Sequence, residues 1–116
     1  MRKVESGMAA IKSIYNQEMS AIEEVARATA RELIAKQAFD QAYSEGMLDE
    51  ENNGSNQQKR DAYACLSAWK QRVRLDAARE EKVKCIAELD MIRTQVKRME
   101  MLRDVFKYNI DPEEMF

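Results

Sequence analysis

The densest set of groups able to bind a ligand in this 116-residue chain is a run of ten basic side chains: Lys70, Arg72, Arg74, Arg79, Lys82, Lys84, Arg93, Lys97, Arg98 and Arg103. Lys70 with Arg74, and Arg93 with Lys97, stand four apart. On a helix each pair shares a face, where like charges repel and a phosphate or an acidic partner relieves the repulsion. The same residues also read as a solvated surface neutralised by Glu80, Glu88, Asp90 and Glu100. Trp69, near Tyr63, Leu66 and Val73, fits an apolar core and equally an interface anchor. Eight methionines, with Met91, Met99, Met101 and Met115 late in the chain, suit an irregular core or an adaptable interface. The candidate partner-binding residues are therefore Trp69, Lys70, Arg72, Arg74, Arg93, Lys97 and Arg98.

Catalytic and metal chemistry finds little footing. Histidine is absent, so no Ser-His-Asp or Cys-His arrangement and no His-based metal site can be assembled. There is no CxxC, no GxGxxG and no GxxxxGK[ST]. Glu80 and Glu81 read as a helix face in water rather than as an acid–base pair. The expectation is a chain that is not an enzyme and takes no cofactor or metal.

Cys65 and Cys85 lie twenty residues apart. On one continuous helix that is roughly 30 Å at 1.5 Å per residue, far beyond the reach of a disulfide. Reduced thiols point to the cytoplasm. After Met1-Arg2-Lys3 no apolar stretch resembles a signal peptide, and apolar runs of three or four residues cannot span a bilayer. The net charge of −2 hides an uneven distribution. Residues 45–58 hold four acids and no base, whereas residues 59–108 hold 13 bases against 8 acids.

Long helices must position these groups. Three glycines, one proline and 34% charged residues favour them. Over about 5–44, Val4, Met8, Ile11, Tyr15, Met19, Ile22, Ala26, Ala30 and Leu33 recur at spacings of three or four with an eleven-residue repeat. Ile14, Val25, Ile34, Phe39, Ala42 and Tyr43 widen that stripe. Residues 45–56 interrupt the pattern: Gly46 reads as a C-cap, Asn53-Gly54 as a turn, and Ser55 with Gln58 as a capping box. A second helix over about 57–108 carries Cys85, Leu89, Ile92, Val96, Met99 and Phe106 in heptads, with Arg103 at the skipped site. Earlier in it Ala62, Leu66, Trp69 and Val73 share a face, joined by Ala77, Ala78 and Val83 through a thin charged stretch. The tail, 109–116, starts at Asn109-Ile110-Asp111-Pro112, where proline ends the helix.

The expected fold is all-α: one domain, 1–116, of two long antiparallel helices in a coiled-coil-like helical hairpin. A stripe this wide exceeds what one partner helix covers. Pairing into a four-helix dimer, or docking on another protein, covers the remainder. Core and dimer candidates are Ile11, Ile22, Leu33, Leu89, Ile92, Val96 and Met99.

The segment Gly54-Ser55-Asn56-Gln57-Gln58-Lys59-Arg60-Asp61-Ala62, followed by Leu66, resembles small bacteriophage and prophage accessory proteins with Gly-(Lys/Ser)-Asn-x-x-x-Arg-x-Ala between two long helices. Small secreted helical proteins with a Trp-x-Gly turn fit poorly, because this turn has no tryptophan. The phage resemblance implies an accessory protein that counteracts a host system or serves DNA metabolism, and implies no catalytic residues. Two functions follow as expectations. One is an adaptor or inhibitor that binds another protein through its bundle surface. The other is nucleic-acid binding along the basic second helix.

Overall fold

The computed structural model describes residues 2–108, with side chains described from Gly7 to Phe106. The expected helix end and tail at 109–116, and the side chain of Val4, lie outside the described residues. Three helices occupy the described chain in the order α1 (Arg2–Leu48), α2 (Gln57–Ser67) and α3 (Trp69–Tyr108), and no strand occurs among the described residues. The chain forms two compact units, one of residues 1–25 with 85–116 and the other of residues 26–84.

In the unit of residues 26–84, α1 runs antiparallel to α2 and the start of α3. Tyr43 Oη donates to Asp61 Oδ1 at 2.7 Å. The Arg72 guanidinium lies 5.7 Å from the Phe39 ring, and Lys82 Nζ is 3.5 Å from Glu32 Oε2. Numbers fall along one helix as they rise along the other. The interior is made of small residues: Ala28, Ala64 and Ala68 are buried, with Leu75 the one large side chain fully enclosed. Gly46 is the point of closest approach. A Cβ placed there would lie 2.9 Å from Ala64 Cα and 3.2 Å from Ser67 Cβ. Gly46 therefore stands inside α1, not at its C-cap, and α1 runs on to Leu48 instead of stopping near residue 44.

The connection beyond Leu48 is held by side chains. Asp49 Oδ1 accepts from the Glu51 N–H at 3.0 Å, and the Asn52 N–H donates to the Asp49 carbonyl at 2.9 Å. Asn52 Nδ2 donates to the carbonyls of Gly46, at 2.8 Å, and Arg60, at 3.1 Å. One amide thus satisfies an orphan carbonyl at the end of α1 and ties it to the start of α2. The N-cap of α2 is Asn56 rather than Ser55. Its backbone is extended and its Oδ1 accepts from the Lys59 N–H at 2.9 Å.

The expected single helix over 57–108 is divided at Ala68, whose φ of −98° and ψ of 11° depart from helical values. The hydrogen-bond ladder nonetheless continues through it, from the Ala68 N–H to the Ala64 carbonyl and from the Arg72 N–H to the Ala68 carbonyl. Just before the kink, Ser67 Oγ donates to the Tyr63 carbonyl at 3.0 Å, a back-bond that bends helices.

In the other unit, Tyr15 Oη donates to Glu100 Oε1 at 2.9 Å. Ile14, Cys85, Leu89 and Val96 are its buried side chains, with Ile11, Tyr15, Val25, Ile92 and Met99 half-buried around them. In both units the inner positions of α1 alternate at three and four: 11, 14, 18, 21, 25, then 28, 32, 35, 39, 42, 46. Along α2 and α3 they are 64, 68, 71, 75, 78, 82, then 85, 89, 92, 96, 99. Both are strict heptads. The eleven-residue stripe of α1 is not the buried one: Ile11 belongs to both and Tyr15 is half-buried beside Ile14, but Met8, Met19, Ile22 and Leu33 are exposed. Closely spaced helices admit the alanine line 21, 28, 35, 42 and turn the larger groups outward. For the same reason Leu66, Trp69, Val73 and Val83 point away from the interior, whereas Phe106, one heptad on from Met99, is exposed although in register.

Two glycine substitutions test the close approach. Gly46→Ala gains about 1 kcal/mol of helix propensity but overpacks against Ala64 at a cost of about 1–3 kcal/mol, so chemical denaturation should show net destabilisation. Gly7, with nothing within 4 Å of an added Cβ, should give a gain of about 0.5–1 kcal/mol as Gly7→Ala.

Candidate functional site

The candidate binding residues fall into both units. In the unit of residues 26–84, Trp69, Lys70 and Arg74 are exposed. No ion pair holds Lys70 or Arg74 among the described residues. Arg72 differs. Its Nε lies 3.3 Å from Asp76 Oδ1 while the guanidinium covers Phe39, so it serves the packing of α1 on α3 as a cation over an aromatic face. Trp69 is 62% exposed, flanked by Leu66 at 77% and Val73 at 51%. The three stand at i, i+3 and i+7 and form an outward ridge around the kink. The interior of the same turns holds only Ala64 and Ala68, both at 0%.

In the other unit, Arg93, Lys97 and Arg98 are exposed and unpaired among the described residues. The acid expected to neutralise them at Glu100 is engaged by Tyr15. That bond also sets the register. One heptad on from Tyr15 is Ile22, and one heptad back from Glu100 is Arg93. An antiparallel pairing thus puts Ile22 and Arg93 on the same flank, with Met19 and Lys97 beside them. Met19 is 63% and Ile22 43% exposed, so apolar and basic groups share one surface.

Of the core and dimer candidates, Leu89 and Val96 are buried, Ile11, Ile92 and Met99 are half-buried, and Ile22 and Leu33 are exposed. Cys65 is an exposed free thiol and Cys85 a buried one. Among the described residues no group of three acids or cysteines is placed to hold a metal ion, and no helix is long and apolar enough to cross a membrane.

Sequence reasoning missed three tyrosine–carboxylate clasps. Tyr63 Oη donates to Asp49 Oδ2 at 3.0 Å, beside the Tyr43–Asp61 and Tyr15–Glu100 bonds. Each carboxylate partner holds the proton on its phenol, and desolvation adds to the effect, so all three tyrosines ionise above their ordinary value of 10.0. At Tyr15 the nearby Arg103 pulls the other way. Comparison with protein-family models, with curated proteins and with solved structures finds no match to this chain.

The sign of the pH effect follows from the raised values. The folded chain keeps these protons where the unfolded chain loses them, so their contribution is complete below about pH 10 and is lost as pH rises through the raised values. Tyrosinate absorbance should therefore rise at higher pH in the folded chain than in denaturant. Asp49→Asn and Asp61→Asn should each bring the ionisation of the facing tyrosine back toward the denatured curve. Coincident curves for folded and denatured chain would refute the clasps.

Proposed function

We propose that this chain is a non-enzymatic accessory module of phage type, a helical hairpin that pairs with a second copy and binds another protein as adaptor or inhibitor in the host cytoplasm. The observation that carries the reading is the set of large apolar side chains left outside in both units, Met19 and Ile22 in one and Leu66, Trp69 and Val73 in the other. Burying a Leu, Ile, Val or Met side chain is worth about 1.5–3 kcal/mol. A fold that leaves Met19 and Leu66 largely in water, and Ile22 and Val73 about half so, withholds part of that stabilisation for an association. The binding surface assigned to the partner is Met19 and Ile22 of α1 with Arg93 and Lys97 of α3. Apolar anchors bordered by unpaired cations suit a protein surface that is apolar at its centre and acidic at its rim.

A second reading is favoured by one specific observation, the three cations left without acids. Nucleic acid bound along α3 would place phosphates there. Salt separates the two. Affinity for nucleic acid falls steeply between about 50 and 200 mM salt, and changing Arg93, Lys97 and Arg98 together to Glu lowers the salt slope by about three.

The test is capture from the host with the full chain as bait, followed by mass spectrometry, against two variants that keep the helical content. Met19→Glu with Ile22→Glu should lose the captured protein, and the loss should persist in low salt. The triple Glu variant should mainly slow association. Capture that survives the change at Met19 and Ile22 but disappears with the triple variant, together with salt-sensitive binding of the unmodified chain to plain DNA or RNA, would replace the protein reading with the nucleic-acid one.

A further inference from the structure

The ridge at the kink between α2 and α3 calls for an occupant, and the same unit carries a surface complementary to it. We infer that Leu66, Trp69 and Val73 form a two-fold interface with a second copy of this chain, in which the acidic connection of each copy lies against the basic flank of the other. The inference deepens the self-pairing stated above by naming its surface.

The ridge supplies the apolar centre. Trp69 and Leu66 are more exposed than not, and their spacing with Val73 is that of helix anchors that enter a groove. Tryptophan is among the side chains that dominate interface energetics when packed. The flanks supply the charge. Residues 59–74 carry Lys59, Arg60, Lys70, Arg72 and Arg74 against Asp61 alone. Residues 45–51 carry Glu45, Asp49, Glu50 and Glu51 with no base. Both stretches belong to the unit of residues 26–84, so they travel together. Within one copy, Lys59, Lys70 and Arg74 have no ion-pair partner among the described residues, and Glu50 is exposed. A two-fold axis repeats every contact, so one match of acidic connection to basic flank generates a second.

The experiment uses the full chain. Sedimentation equilibrium over a range of concentrations should give a dimer. Emission of Trp69, the chain's one tryptophan, should shift to the blue as the dimer forms. Trp69→Ala and Leu66→Glu with Val73→Glu should raise the dimer dissociation constant at least tenfold while circular dichroism shows the same helical content, since these side chains face outward. A charge-reversal pair makes the test specific. Lys59→Glu with Lys70→Glu in one chain, and Glu50→Lys with Glu51→Lys in another, should each be monomeric alone and form a mixed dimer when combined. Dimers indifferent to the ridge and to charge reversal would overturn this surface while leaving self-pairing in place. A strict monomer at high micromolar concentration would overturn both, and would leave the partner surface at Met19 and Ile22 untouched.

Discussion

The contact on which the unit of residues 26–84 depends is the close approach of α1 to α2 at Gly46, Ala64 and Ser67. Hydrogen in place of a side chain at Gly46 lets the two backbones approach to a distance at which a methyl group would touch Ala64 Cα. Close spacing then selects alanine at 28, 64 and 68 and leaves room for one enclosed leucine, Leu75. It also explains why the connection is so well tied. A glycine inside a helix weakens it, and the three bonds of Asn52 and Asn56 that hold the end of α1 and the start of α2 offset that weakness. The Tyr43–Asp61 and Tyr63–Asp49 bonds close the same turn from two sides.

Small residues inside have a consequence for the surface. A helix has a fixed number of positions, and where the inner ones hold alanine, as at 28, 64 and 68 in the unit of residues 26–84, the larger apolar groups stand elsewhere. In that unit they stand on the outer face of α2 and α3 at Leu66, Trp69 and Val73 and on α1 at Leu33. The exposed apolar side chains and the alanine interior of this unit are thus two results of one choice of helix spacing.

The helical character, the position of the connection and the late heptad at Cys85, Leu89, Ile92 and Val96 were legible from the sequence, because breakers are rare and the heptad there uses large side chains. The early heptad was not. Periodicity is read from size, and at 64, 68, 71, 75, 78 and 82 the inner residues are Ala, Ala, Gln, Leu, Ala and Lys, which give a weaker signal than Leu66, Trp69 and Val73 beside them. Gly46 carried the same ambiguity. Glycine near a helix end suggests a cap, and only the position of Ala64 shows that it serves a crossing. Lys70, Arg74, Arg93, Lys97 and Arg98 are exposed, whereas the role of Arg72 over Phe39 depends on a contact between helices that spacing cannot reveal.

With so many inner positions occupied by alanine, something other than jigsaw fit must choose the register, since one alanine layer packs much like the next. Glu32 and Lys82 occupy inner heptad positions and pair across α1 and α3, each about a quarter to a third exposed. An ion pair so placed adds little net stability, because desolvation of both groups offsets their attraction. Its effect on register is larger. A slip by one heptad in one direction sets Lys82 against Phe39, and in the other it sets Glu32 against Leu75, so either slip strips a charge of its partner against an apolar surface. Polar residues at inner heptad positions select one alignment in this way. The alignment so chosen puts Arg72 over Phe39 and Asp61 within reach of Tyr43. A slip of a whole heptad keeps Leu66, Trp69 and Val73 facing outward, so what the alignment decides is which residues of α1 lie level with them.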